Sequence, residues 1–418
     1  ICSGNRCNDA RSDHGIRYYP VEHHRNDGLE WYERLKEDNM KKFTSVILLI
    51  LSLAMIVSAM TVGVAASSAY QTYTYSIGGT ALYSPDAYSA EQALVYTDMG
   101  LPMDLKNPKD MITDEDGNIY IADTDNNQIA ILNRYFEFQT YITTFYNAAG
   151  NNDRLVAPQG VFVIDNSIWV CDTGNNRLVE FDKKTLEFKQ IIDPPESQLL
   201  SDNAAYKPVA MAIDPYGRIY VVSSSTNQGI IVMNSEGAFV GFIGAQAVTI
   251  SAWEILWRSL QTDAQRKASA TKTSVIYNNI AISQEGFIYV TTSAIEEGSV
   301  ATAITGKDRT GKFVPVKMLN PSGDEIMRRN GFWPPAGEID FKTSGGVSTI
   351  VDVATGPEKT WSIVDTKREK IYTYDFDGNL LFAFGDKEGN MLGNISSIEA
   401  ICYQGDTMLI LDKDKDNI

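Results

Sequence analysis

Short apolar runs separated by turn residues occupy most of the chain after residue 100. Residues 119–122 and 168–171 are such runs, and both are rich in the β-branched and aromatic side chains that favour strands. The runs recur at a regular spacing, since Pro108, Pro158 and Pro208 lie 50 residues apart. The pattern predicts repeated units of short strands joined by hairpins.

Six such units can be followed between residues 101 and 418. Four hairpin tips carry a glycine, which supplies the positive φ that tight turns need: Gly117, Gly217, Gly286 and Gly378. One four-stranded sheet cannot bury both of its faces, whereas a ring of sheets can. A repeat of 40–50 residues is typical of propeller blades. We therefore predict an all-β propeller of about six four-stranded blades.

Residues 158–178 carry a family resemblance. They read Pro-x-Gly-Val and then Ile-Trp-Val-x-Asp-Thr-Gly-Asn-Asn-Arg-Leu, which resembles the NHL repeat. The first unit matches nearly as well, and the resemblance extends over roughly residues 100–418. It implies an exported bacterial NHL-repeat protein with a six-bladed propeller. It implies little about chemistry, because propellers carry many functions.

An aspartate recurs where the second strand of a unit ends. We expect these carboxylates to bind turn backbone, as short Asx side chains do, at Asp123, Asp172, Asp365 and Asp412. Residues 412–416 also resemble the start of a calcium loop, but the repeat register favours a turn.

The last unit stops midway through a blade, so we expect a truncated C-terminus. Alternatively, the N-terminal segment, residues 67–100, completes the ring with a strand around residues 70–82 or 91–96. Cys171 and Cys402 fall in strands and are expected to be small buried residues, not a disulfide.

The first 66 residues differ from the rest. Residues 40–66 begin Met-Lys-Lys, continue with an apolar run over 46–64 and end in small residues, which indicates a signal peptide or membrane anchor. Cleavage after Ala66 or Ala69 is the first interpretation. Residues 1–39 lack periodicity and are expected to be disordered. We interpret them as upstream DNA translated from a mis-assigned start, because codons for residues 36–39 can form a ribosome-binding site. A genuine extension is the alternative.

Two insertions interrupt the repeats. The first, residues 251–272, predicts a helix over 252–268 whose Trp253 and Trp257 pack on the propeller or bind a partner. The second, residues 294–348, predicts a long loop in which Phe332 and Trp333 form a candidate ligand-binding pair.

Charge and composition narrow the functions. The net charge of −17 disfavours nucleic acid and anionic lipid as partners. No histidine follows Met40, so histidine-dependent lyase mechanisms and Ser-His-Asp or Cys-His catalysis do not transfer. We expect a non-catalytic, secreted or cell-surface module, without a cofactor, that binds a glycan, peptide or protein. The alternatives are a calcium-dependent hydrolase or lyase of lactonase-like type and a purely structural repeat of a larger envelope protein.

Overall fold

The computed structural model divides into two compact units, Ile1–Ser67 and Ser68–Ile418. It describes residues 27–60, 69–195, 206–226, 228–244, 276–293, 297–305, 314–328, 333–342, 344–387, 389, 391–414 and 417–418. The predicted helix over residues 252–268 lies outside the described residues.

The first unit contains helix α1, Asp27–Met60. Residues 27–39 are helical, where we expected disorder. Two i,i+4 ion pairs support this first part of the helix: Glu37–Lys41, with a closest N–O distance of 2.9 Å, and Asp38–Lys42, at 3.6 Å. Among the described residues, no helix combines the length and apolarity that a bilayer crossing requires.

The second unit is a β-propeller with five blades. Each blade is an antiparallel sheet that runs outward from the ring axis in chain order. The strands are β3 (Pro108–Thr113), β4 (Ile119–Asp123), β5 (Gln128–Leu132) and β6 (Phe138–Ile142) in blade 1; β9 (Gly160–Ile164), β10 (Ser167–Asp172), β11 (Arg177–Asp182) and β12 (Phe188–Ile192) in blade 2; β13 (Pro208–Ile213), β14 (Ile219–Ser223), β15 (Ile230–Met233) and β16 (Phe239–Ile243) in blade 3; β17 (Asn279–Ile282), β18 (Ile288–Thr291) and β19 (Val316–Leu319) in blade 4; and β20 (Ile350–Thr355), β21 (Trp361–Asp365), β22 (Lys370–Tyr374) and β23 (Leu380–Phe384) in blade 5.

Among the described residues, the sixth repeat forms a two-stranded sheet of β24 (Ile398–Gln404) and β25 (Thr407–Asp412). We call it the closing sheet, because β24 contacts the inner strand β20 on one side and β3 on the other. The prediction of six four-stranded blades is therefore wrong. The sequence repeat is carried mainly by the first two strands of each unit. The sixth unit has these two strands in the described chain, so it resembles a complete blade in sequence.

The N-terminal residues of this unit join blade 5. Strands β1 (Thr72–Tyr75) and β2 (Ala81–Ser84) form a hairpin, and β1 pairs with the outer strand β23. A second hairpin, β7 (Thr144–Tyr146) with β8 (Asn152–Arg154), connects blades 1 and 2. Short 3-10 turns occupy Thr173–Asn175 and Pro357–Lys359.

The span 294–348 is not the single loop that we expected. It contains helix α2 (Glu297–Ile304) and strand β19, which pairs with β18 as the third strand of blade 4. Val300 of α2 packs against Ala336 and Phe341, so the later part of the insertion covers this helix.

The core lies in the seams between neighbouring sheets. Strand residues face alternate sides, so each strand supplies two seams. In the closing sheet, Leu409 and Leu411 belong to the cluster with Met111 of blade 1. Met408 and Ile410 of β25 pack on the cluster that contains Phe384 of blade 5. The ring therefore closes through side chains from both faces of β25.

Candidate functional site

The four recurring aspartates join each inner strand to the turn of its own sheet. Asp172 accepts the Val156 N–H at 2.7 Å and the Arg177 Nε–H at 2.8 Å. The other three aspartates also accept a backbone N–H from the segment before their inner strand. Asp123 accepts that of Lys106, Asp365 that of Thr349 and Asp412 that of Ser396. All four side chains are buried within the turn that they organise.

The threonine that follows two of these aspartates links neighbouring blades. Thr124 donates its hydroxyl to the Pro158 carbonyl at 2.7 Å, and Thr173 donates to the Pro208 carbonyl at 2.6 Å. Each acceptor belongs to the start of the next blade. The Asp-Thr pair of the repeat thus fixes one blade internally and attaches it to the next.

Two inner-strand carboxylates, Asp110 and Asp352, also connect adjacent sheets. Asp110 accepts the N–H of Met111 and that of Val161 in blade 2, both at 2.8 Å. Asp352 accepts the N–H of Val353 at 2.8 Å and that of Ile401 in the closing sheet at 2.6 Å. Burial raises the pKa of Asp110 to about 6. Burial, and next the charge of Asp110, raise the pKa of Asp352 to about 8.

Cys171 and Cys402 are buried and free, as expected from their strand positions. Burial raises the pKa of both thiols well above the ordinary range. No group of three or more His, Cys, Asp or Glu side chains that could hold a metal ion occurs among the described residues.

Trp333 packs on the N-terminal hairpin. Its indole Nε1–H donates to the Ser76 carbonyl at 3.0 Å, and the ring lies over the turn that contains Gly79. Nearby, Glu338 accepts the Tyr75 hydroxyl at 2.8 Å and the Tyr73 hydroxyl at 3.3 Å. Phe332, Trp253 and Trp257, the other candidate ligand-binding residues, lie outside the described residues.

A large concave feature lies beside the closing sheet. A cavity of about 990 Å³ separates the outer edge of β25 from the N-terminal segment 87–93. Its other described walls include the loop 391–395 and the aromatic residues Phe136, Phe382 and Phe384. We call this cavity the slot. It occupies the place that the third strand fills in the complete blades.

Residues 417–418 meet the N-terminal segment at one end of the slot. Asn417 pairs with Asp412 through two backbone hydrogen bonds of 3.0 and 3.2 Å. On its other side, Ile418 pairs with Leu94 through bonds of 2.9 and 3.1 Å. Residues 417–418 therefore lie between β25 and the N-terminal segment, as a third strand lies between its neighbours.

The edge of β25 presents backbone groups to the slot. In an antiparallel strand, the N–H and C=O of alternate residues point to the same side. Because Asp412 bonds to Asn417 on the slot side, the backbone groups of Ile410 and Met408 face the slot as well. In the described chain, β25 pairs in a sheet only with β24.

The charges around the slot have one sign. The charged side chains among its described lining residues are carboxylates, at Glu91, Glu358, Asp406 and Asp412. Apolar side chains, including Met408, Ile410 and the three phenylalanines, supply much of the remaining surface. The slot thus offers an apolar floor, an acidic rim and a strand edge.

Comparisons with known proteins show no family for this chain. No family model matches the sequence, and no curated protein matches it significantly. The chain is similar in structure to virginiamycin B lyase from Staphylococcus aureus, with 11% identity and a TM-score of 0.46 over 78% of this chain and 96% of that chain. It is similar to hydrazine synthase of Kuenenia stuttgartiensis, with 12% identity and a TM-score of 0.46 over 76% and 96%. A protein of unknown function from Bacteroides thetaiotaomicron VPI-5482 has 11% identity and a TM-score of 0.47 over 84% and 74%.

Sequence reasoning missed Asp110, Asp352 and the slot. A signal for the two aspartates exists, since each is the third residue of the inner strand in its repeat. The slot depends on contacts between residues 94–95 and 417–418, which are more than 300 positions apart. The segment 91–96, one of the two offered for a ring-closing strand, contributes Leu94 and Val95 to these contacts.

Proposed function

We propose that this chain is a non-catalytic binding or scaffolding propeller of the NHL type, which works outside the cytoplasm and binds a glycan, peptide or protein partner. The observation that carries the proposal is the rigid ring, in which Thr124, Thr173 and Asp110 each bond to the backbone of the next blade. A rigid scaffold of this kind presents loops on which binding residues collect.

The contacts of the inner-strand carboxylates Asp110 and Asp352 support a structural role for these two residues. Each oxygen of Asp110 and of Asp352 accepts a backbone N–H within hydrogen-bond distance. A general base or a metal ligand needs lone pairs directed at its substrate or ion. In these two carboxylates one oxygen accepts the N–H of the next residue in the same strand, and the other accepts an N–H of the neighbouring sheet.

The proposal is tested by screening residues 68–418 against a displayed random-peptide library and a glycan array. We expect at least one peptide, protein or glycan ligand that binds the folded chain and is lost when the chain is unfolded in urea. The absence of any such ligand from both screens would contradict the proposal.

A further inference from the structure

We propose that two copies of this chain associate by pairing their β2 strands antiparallel about a two-fold axis at Leu82. Strand β2 is the outer strand of the N-terminal hairpin, which extends blade 5 to a six-stranded sheet. In the described chain β2 pairs only with β1, so its other edge is available to a further strand. Such a dimer would be a property of the scaffold, separate from the ligand-binding role proposed above.

The turn of the hairpin determines which backbone groups of β2 point outward. Ser76 donates its N–H to the Thr80 carbonyl at 2.9 Å, so Thr80 directs its backbone groups toward β1. In an antiparallel strand the N–H and C=O of alternate residues point to the same side. Leu82 therefore also faces β1, whereas Ala81 and Tyr83 direct their N–H and C=O groups to the free edge.

This arrangement is complementary to itself. In an antiparallel pair centred on Leu82, Ala81 lies opposite Tyr83 of the second copy, and Tyr83 lies opposite the second copy's Ala81. Each of these two pairs can exchange both of its N–H to C=O hydrogen bonds. Leu82 then packs against its own counterpart on one face of the sheet, and each tyrosine ring lies beside a small alanine side chain on the other. Because the same patch serves both copies, the contact closes at two subunits.

The side chains at this edge are exposed and uncharged. Tyr83 is 69% exposed and Leu82 is 51% exposed. Residues 69–85 contain no Asp, Glu, Lys or Arg, although the whole chain carries a net charge of −17. Edge strands of natural proteins are commonly protected from pairing by charged side chains. Strand β2 lacks that protection, and pairing with a second copy would remove its apolar surface from water.

The position of the hairpin lets two acidic propellers associate without bringing their rings together. Adjacent strands lie about 4.8 Å apart, so five steps through both hairpins would keep the two β23 strands about 24 Å apart. That separation exceeds the Debye length of about 8 Å at physiological salt, so repulsion between the rings is largely screened. An uncharged edge also gives no advantage to a basic or an acidic partner strand, which favours a second copy as the occupant.

Charge substitution at Leu82 tests the two-fold pairing. The full-length chain and its variants Leu82→Lys and Leu82→Glu are each examined by sedimentation velocity over a series of concentrations. We expect a reversible monomer–dimer equilibrium for the parent. Each variant alone should dimerise at least tenfold more weakly, because two like charges would lie directly opposite one another. An equimolar mixture of the two variants should recover the dimer, because opposite charges then face each other.

The matched controls carry the same charges away from the edge. Ala149 is exposed in the turn between β7 and β8, so Ala149→Lys and Ala149→Glu should dimerise within twofold of the parent.

Two variants of Ala81 test the backbone contribution. Ala81→Pro removes an N–H that faces the free edge and leaves the ladder with β1 in place, since proline is tolerated on the outer side of an edge strand. Ala81→Ser keeps this N–H. We expect at least a tenfold loss of dimer affinity for Ala81→Pro and less than a twofold loss for Ala81→Ser, with melting temperatures recorded to verify that both variants fold.

The opposing outcomes are distinct. A parent chain that stays monomeric at every concentration overturns the inference, and so do Leu82 variants that dimerise as strongly as the parent or whose mixture fails to recover the dimer. Equal losses in the two Ala81 variants would show contact without strand pairing and would overturn it as well. A monomeric parent that sedimented with neutral phosphatidylcholine vesicles, when Leu82→Lys did not, would assign these exposed side chains to a lipid surface instead.

Discussion

Asp352 connects neighbouring sheets of the ring and also makes the stability of the ring depend on pH. Its carboxylate reaches the closing sheet at Ile401 and also accepts the Asn279 side-chain amide of blade 4 at 2.5 Å. It therefore ties three successive sheets together. The same burial that makes these bonds strong disfavours the charged form, so the connection has a pH dependence.

We expect stability to fall as the pH rises from 5 to 8. Burial raises the pKa of Asp110 to about 6, of Glu369 to about 7 and of Asp352 to about 8. An unfolded carboxyl titrates near pH 4. Between the unfolded and the folded pKa the folded chain holds more protons, so each group removes about 1.4 kcal/mol of unfolding free energy per pH unit.

Asp352→Asn tests this sign directly. Asparagine keeps one carbonyl acceptor and cannot ionise, so we expect a shallower fall of the melting temperature between pH 5 and 8 than in the parent chain. At pH 5 the variant should be less stable than the parent, because one acceptor is lost, and the difference should shrink toward pH 8. Asp116→Asn, at an exposed hairpin turn, should leave the parent slope unchanged. Parallel curves for Asp352→Asn and the parent would refute the assignment.

At the scale of elements, the N-terminal hairpin is held to blade 5 by more than its ladder. Strand β1 pairs with β23, and Trp333 covers the turn between β1 and β2. Gly79 in that turn has φ of +80°, and a Cβ there would lie 2.9 Å from Cζ2 of Trp333. Packing on the hairpin is thus the contact that the structure gives this tryptophan, which the sequence had offered as a ligand contact.

A double-mutant cycle measures that packing. Gly79→Ala should lower the unfolding free energy by about 2 kcal/mol, from left-handed strain and from the clash with the indole. In a Trp333→Ala background the same change should cost only about 1 kcal/mol, because the strain alone remains. Gly150→Ala is the strain-only control, since Gly150 has φ of +74° and its added Cβ meets nothing within 4 Å. Equal costs in both backgrounds, measured by urea denaturation, would show that Trp333 does not restrict the turn.

At the scale of the molecule, the sequence predicted the propeller because its signal is local and repeated. Strand runs, turn glycines and the Asp-Thr pair each recur within about 50 residues, so their sum identifies the blades. Strand β19 escaped prediction because the residues between Thr291 and Val316 break that spacing. The number of blades could not be predicted because it depends on how many strands form the sixth sheet. That number is set by contacts between segments that are distant in sequence.

Ring closure depends on contacts between segments that are distant in sequence, and we expect it to control the cooperativity of unfolding. The closing sheet covers Met111 and Ile119 of blade 1 on one face and Ile371 and Phe384 of blade 5 on the other. Without it, two apolar seams would face water, at a cost of about 25 cal/mol for each square ångström exposed. The five remaining blades would also lose the Asp352–Ile401 and Thr113–Tyr403 hydrogen bonds.

We therefore expect residues 68–396 to behave unlike residues 68–418. The longer chain should melt in one sharp transition, and the shorter chain should melt broadly at lower temperature and bind a hydrophobic dye several-fold more strongly, because its end seams are open. Calorimetry and dye fluorescence at matched concentration provide the measurement. The variant Met408→Pro in the longer chain is the control, since it alters the edge of the closing sheet without removing either covered face. If residues 68–396 melted as sharply as the longer chain and bound no additional dye, the blades would be stable as an open arc, and the closing sheet would serve only to form the slot.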